Sequence, residues 1–179
     1  MNLEEVDVLY TENEVKQVVK SLGREISADY AGEELLVVGI LKGAFVFMAD
    51  LVREIDCKVQ LDFMDVSSYG HSTVSSGEVR IMKDLEYSID GKNVLIVEDI
   101  VDTGLTLHYI TEILKKRGPK SVKICCLLDK PSRRNSPVKP NYVGYSIPDK
   151  FVVGYGLDYD EWYRNYPAIC ILKPSVYEK

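Results

Sequence analysis

Apolar positions along this chain fall into two kinds of run that alternate. LLVVGIL (35–41) and VLIV (94–97) are continuous and rich in β-branched residues, which suits strands covered on both faces. SVKICCLLD (121–129) is a third strand of this kind. KVQLDFMDV (58–66) alternates like a strand, and 79–82 is a short strand candidate. Between these lie stretches with helical spacing. Val6, Leu9, Val15, Val18, Val19 and Leu22 predict one helix within 3–22, and FVFMADLVREI (45–55) predicts a second. Leu107, Ile110, Ile113 and Leu114 predict a third, ended by Gly118 and Pro119. A turn is expected at 90–92, and short strands broken by prolines at 142–145, 151–154 and 168–172. Strands alternating with amphipathic helices predict an α/β fold with a mostly parallel sheet.

One segment breaks the pattern. Residues 67–78, SSYGHSTVSSGE, are small and polar without periodicity, as expected of a long functional loop. At 179 residues the chain is expected to form one domain. With 22 basic against 28 acidic residues the net charge is −6, which argues against nucleic acid or an anionic membrane as a general partner. SRR at 132–134 is a candidate for a locally basic pocket. The first residues lack a basic segment followed by an apolar run, and no stretch reaches the roughly 18 apolar residues of a membrane span. Cys57, Cys125, Cys126 and Cys170 show no C-x-x-C spacing and are expected to be inert thiols in a reduced, cytoplasmic setting.

The chemistry concentrates where the strand at 94–97 hands over to the third helix. Glu98, Asp99 and Asp102 put three negative charges into five residues. Charges so close raise one another's pKa and oppose folding unless something compensates them. Asp102-Thr103-Gly104-Leu105-Thr106 has the parts of a phosphate cradle: a glycine for a tight turn, hydroxyl donors, and the free N–H groups of a helix start. It is not a P-loop, and the only G-x-G, at 154–156, lacks a third glycine and a following helix. The carboxylates cannot face a phosphate, but they can accept from a cis-diol or hold a divalent cation. A phosphorylated ribose fits both requirements. The plainer alternative, acids capping the helix, accounts for Asp102 alone.

VLIVEDIVDTGLTL resembles the phosphoribosyl-pyrophosphate (PRPP) motif of the type I phosphoribosyltransferases. The wider chain resembles their hypoxanthine-guanine branch of bacterial type, through GILKGAFVFMADL, DFMDVSSYG, LLDKPSRR and IPDKFVVGYGLDYDEWYRN. The resemblance implies a type I phosphoribosyltransferase fold: a mostly parallel sheet flanked by helices, with a small hood formed largely by C-terminal strands. It implies a core at about 30–145, a hood from the N-terminal segment and about 146–179, and a flexible active-site loop at about 67–80. It implies that Glu98 and Asp99 bind the ribose hydroxyls with Mg²⁺ nearby. Asp102, Thr103, Gly104 and Thr106, with Leu105 among them, form the 5′-phosphate loop. Asp102 also takes the N7 proton of the purine, a task that calls for a pKa tuned by burial and neighbours.

On the purine side the resemblance implies that Lys130 donates to the 6-oxo group, Phe151 stacks on the base and the Val152 backbone meets its edge. Asp158 borders this group and ligates a second magnesium through the pyrophosphate. Lys42-Gly43, with a cis peptide between Leu41 and Lys42, and Arg164 would bind pyrophosphate. Ser68 and Tyr69 would lead a lid. Asp160 and Glu161 read as solvated loop charges, and His71 and His108 match no functional position. The implied reaction is Mg²⁺-dependent transfer of phosphoribose from PRPP to hypoxanthine or guanine, by a homodimer or homotetramer. A xanthine-preferring enzyme and a non-catalytic, nucleic-acid-binding PRPP sensor are the rivals; the −6 charge and the presence of Asp102, Lys130 and Asp158 count against the sensor.

Overall fold

A computed structural model describes residues 4–68 and 79–177. The buried β-branched runs become the centre of a six-stranded sheet. Its strands are β2 (Glu34–Leu41), β3 (Lys58–Ser68), β4 (Val79–Lys83), β5 (Asn93–Val101), β6 (Ser121–Asp129) and β7 (Tyr142–Ser146), in the order β4-β3-β2-β5-β6-β7. All neighbours are parallel except the edge strand β4, which runs antiparallel to β3. Helix α3 (Leu105–Lys115) lays Leu107, Ile110 and Leu114 on one face of the sheet, against Val38, Ile96 and Cys126. Helices α1 (Glu12–Asp29) and α2 (Phe45–Leu51) cover the other face, where Val19, Leu22 and Phe47 pack on Val37, Leu95 and Cys125. Each such side chain contributes roughly 1.5–3 kcal/mol on burial.

A second sheet of three antiparallel strands, in the order β1-β9-β8, stands apart from the first: β1 (Val6–Tyr10), β9 (Ile169–Leu172) and β8 (Val152–Val153). The four-residue α4 (Pro174–Tyr177) follows it. Here the local pattern misled. The one helix expected within 3–22 is a strand followed by a helix that runs on to Asp29. Thr11 starts that helix with a capping box, its side chain and that of Glu14 each meeting the other's backbone N–H. Residues 6–10 are extended because they pair with β9, more than 150 residues away, and no local periodicity carries that partner. The helix expected at 45–55 likewise tightens into a 3₁₀ turn after Leu51.

The strand order places the site. The chain enters the large sheet at β2, builds outward to β3 and β4, then returns to the other side of β2 with β5. Ligands in open parallel sheets bind beyond the carboxyl ends of the strands at such a reversal. Beyond β2 lie Lys42 and Gly43, and at the end of β5 stand Glu98 to Thr106. Tyr69 and the rest of the expected lid through residue 78, His71 included, lie outside the described residues; the backbone of Ser68 ends β3, paired with Val79.

Candidate active site

The loop after β5 turns at Gly104, whose φ of +76° suits glycine and which is the N-cap of α3. A side chain there would also meet Ser136 Oγ at 2.5 Å. The N–H of Leu105 meets Thr103 Oγ1 at 3.5 Å, and helix geometry leaves the N–H groups of the rest of the first turn for an outside acceptor. Glu98, Asp102, Thr103, Gly104 and Thr106 line a cavity of about 250 Å³ with Leu41. Asp102 does not cap the helix. Its Oδ1 accepts from Arg133 Nε at 2.8 Å, so the plainer reading of this acid as a cap fails.

Arg133 and Arg134 also correct the expectation of a basic pocket at 132–134. Arg133 is paired with Asp102 and Asp149, and Arg134 with Asp129. Arg134 braces the loop from behind, donating to the carbonyls of Asp102 (3.2 Å) and Val138 (2.8 Å). Asn135 N–H adds a bond to the Thr103 carbonyl at 2.9 Å. The basic charge is consumed internally, in shaping the loop between β5 and α3.

Glu98 and Asp99 are neighbouring carboxyl groups near the end of β5, and each perturbs the other. Burial, together with the charge of Asp99, pushes Glu98 well above the ordinary carboxylate range; burial also raises Asp99, opposed in part by its contact with the Ile100 N–H and by Arg164. Such a pair invites an external cation or hydroxyl donors. Asp99 points at the loop after β2. A Cβ on Gly43 would stand 1.7 Å from Asp99 Oδ2, and one on Gly156 would stand 2.2 Å from the Gly43 carbonyl. The G-x-G at 154–156 therefore serves close packing of the two sheets' loops and no nucleotide turn. The Leu41–Lys42 peptide is cis, as the resemblance implied.

A second cavity, of about 690 Å³, opens on the other side of Asp102. Asp99, Lys130, Phe151, Val152, Asp158 and Tyr177 line it. Lys130 is 7 % exposed, and its Nζ lies 3.6 Å from Asp149. Phe151 lies just outside β8 and is 39 % exposed, so it is no core aromatic. Tyr177 stacks on it with ring centroids 5.3 Å apart, and Tyr159 meets it edge-on at 5.6 Å.

Arg164 donates to the Gly156 carbonyl and pairs with Asp158 at 3.0 Å. Lys42 pairs with Glu161 at 2.9 Å, so Glu161 is not the merely solvated charge expected of it. Sequence reasoning also missed Tyr177, Asp149 and the pairing of Arg133 with Asp102. The only sequence signal for Tyr177 was an apolar ring three residues after a proline near the end of the chain.

Among the described residues no three His, Cys, Asp or Glu side chains are grouped to hold a metal by themselves. Magnesium does not need that, since it binds through one or two carboxylates and completes its shell with phosphate oxygens and water. Asp99 and Asp158, on one cavity, with the raised Glu98 beside Asp99, fit that demand.

Comparison with known proteins agrees with this geometry. Residues 5–160 match the phosphoribosyl transferase domain. The chain is 56 % identical to a hypoxanthine-guanine phosphoribosyltransferase of Bacillus subtilis over 96 % of its own length and 95 % of the relative's. It is 54 % identical to one from Staphylococcus aureus, covering 96 % of each. A crystal structure of a Staphylococcus aureus hypoxanthine phosphoribosyltransferase superposes with a TM-score of 0.96 at 52 % identity, over 98 % of this chain and 96 % of that one. With the cradle at the end of β5 and a match over most of its length, the chain belongs to the phosphoribosyltransferase family and has the type I fold.

Proposed function

We propose that this chain transfers the 5-phosphoribosyl group of PRPP to N9 of hypoxanthine or guanine, giving IMP or GMP and pyrophosphate. The observation that carries the reading is the position of Asp102. Asp102 lines both cavities, the phosphate cradle on one side and the aromatic pocket on the other. A single acid between a sugar-phosphate and a base is placed to handle the proton that moves when the two join.

In this reading Thr103, Gly104 and Thr106, with the N–H groups of α3, hold the 5′-phosphate. Glu98 and Asp99 accept from the ribose hydroxyls. Phe151 offers a flat face to the base, and the Val152 backbone meets its edge. Lys130 donates to the 6-oxo group; adenine would present a donor to a donor there, and a site built around one hydrogen bond rejects its replacement strongly. N9 attacks C1 as the C1–pyrophosphate bond breaks, and the N7 proton passes to an Asp102 carboxylate oxygen. The expectation of a buried Asp102 is replaced by a half-exposed one that Arg133 holds in place. Positive charge building on C1 is stabilised by the neighbouring carboxylates. Lys42, the Gly43 backbone and Arg164 hold the diphosphate. Asp99 and Asp158, with Glu98, would bind Mg²⁺, which when present neutralises the diphosphate.

The same reading includes a cytoplasmic setting, consistent with four free thiols of which three are buried. No helix of the described residues is long and apolar enough to cross a membrane. Assembly as a homodimer or homotetramer belongs to the reading through the family resemblance.

The test is nucleotide formation from PRPP and Mg²⁺ with hypoxanthine, guanine, xanthine and adenine in parallel. Turnover of the first two and none of adenine is expected, with a loss of roughly 10²–10⁴ in Asp102→Asn. Preference for xanthine would move the assignment to another base. No activity with any base would remove it.

A further inference from the structure

Glu161 sits where a loop charge has little reason to be. The turn from Tyr159 to Trp162 closes by hydrogen bonds in both directions, and its two central residues, Asp160 and Glu161, have φ of +51° and +67°. Two positive φ values in a two-residue turn are the geometry that favours Asn-Gly. Glutamate at the second position is held against its backbone preference. Its N–H is tied to Asp158 Oδ2 at 2.9 Å, which fixes where the side chain starts.

The side chain then reaches between two cations from distant parts of the chain. Glu161 Oε2 lies 2.9 Å from Lys42 Nζ, beyond β2, and 3.4 Å from Arg164 Nη2, beside the small sheet, which it shares with Asp158 Oδ1 at 3.0 Å. These are the two side chains read above as holding pyrophosphate. Arg164 Nε is buried and without a partner, so that guanidinium has a donor in reserve.

We propose that Glu161 is a built-in stand-in for pyrophosphate: it occupies the anion positions of Lys42 and Arg164 in the free enzyme and competes with the diphosphate for them. The proposal rests on the phosphoribosyltransferase reading and adds a determinant of how tightly PRPP and pyrophosphate are held. The competition keeps the two cations from clamping the product. Because Lys42 and Glu161 are each 64 % exposed, the effect is modest: a pair of this kind corresponds to about 2–5-fold in binding.

The experiment measures product inhibition by pyrophosphate in Glu161→Gln, with the Michaelis constants for PRPP and hypoxanthine and with thermal unfolding as a check on folding. The expected result is an inhibition constant about 2–5-fold lower, a PRPP constant lowered in the same direction, and an unchanged constant for hypoxanthine. The difference should shrink as salt is raised. Glu161→Gly, which relieves the backbone, separates charge from turn geometry. It should bind pyrophosphate more tightly, as the Gln variant does, while unfolding at the same or a higher temperature. Folded variants with unchanged or weaker pyrophosphate inhibition overturn the proposal, as does a shift in the hypoxanthine constant as large as that for PRPP. A wild-type protein that neither transfers phosphoribose nor binds pyrophosphate would instead overturn the reading on which it rests.

Discussion

The two cavities meeting at Asp102 are built in opposite ways. The side proposed to hold the phosphate is almost one piece of chain: eight of the residues lining it, from Glu98 to Leu107, lie in a single strand-loop-helix unit. Its shape follows from one buried strand, one glycine at positive φ and one helix start. The side proposed to hold the base is assembled from four separate stretches: Asp99 to Asp102, Lys130 to Arg133, Asp149 to Asp158, and Pro174 with Tyr177. The first kind of site is preorganised by local geometry; the second depends on two sheets keeping their places. The loop packing of Gly43 between Asp99 and Gly156 is what ties them.

If this contrast holds, damage on the base side should appear in the use of the base and leave PRPP alone. Lys130→Ala removes a buried, charge-assisted donor and should raise the Michaelis constant for hypoxanthine by about 10²-fold, with the PRPP constant changed little. Equal losses for both substrates would mean that the two halves are one mechanical unit. Tyr177→Ala removes the ring behind Phe151 and should raise the hypoxanthine constant by about 3–10-fold, since an aromatic pair contributes ~0.5–1.5 kcal/mol beyond the area it buries. Tyr177→Phe should restore it. A Phe variant as poor as the Ala one would show that stacking is not what Tyr177 supplies.

The smallest effect probes the phosphate side without substrate. Because burial and Asp99 raise Glu98 above its unfolded value of 4.5, the folded chain holds this proton more tightly than the unfolded one. Its contribution to stability is therefore largest at low pH and is lost as pH rises from about 4.5 through the raised value. Glu98→Gln should flatten that fall and raise the unfolding temperature at pH 8 by about 2–4 °C, corresponding to ~1 kcal/mol. An unchanged pH slope would place the proton elsewhere.

What could be read in advance follows the same division. The strand at 121–129 was legible because its burial on both faces leaves a continuous apolar run, and the phosphate loop because its residue types are adjacent. Residues 6–10 read as helix in the sequence because Val6, Leu9 and Val15 fit helical spacing when their β9 partner is ignored. Glu161 was taken for a solvated charge because Lys42 is 119 residues away. The arginines at 133 and 134 looked like a free basic patch because Asp102, Asp129 and Asp149 are not beside them in sequence.

By itself, then, the sequence determined the α/β class, the acidic strand end with its Thr-Gly-Leu-Thr turn, and through motif resemblance the family. These rest on spacing of at most a helical turn or two, where covalent geometry alone brings side chains together. Only the tertiary structure decided that Asp102 stands between two cavities, that Tyr177 backs Phe151, and that Glu161 bridges Lys42 and Arg164. Those contacts join residues whose proximity is created by strand order and sheet packing, and no local pattern encodes which distant partner a side chain will meet.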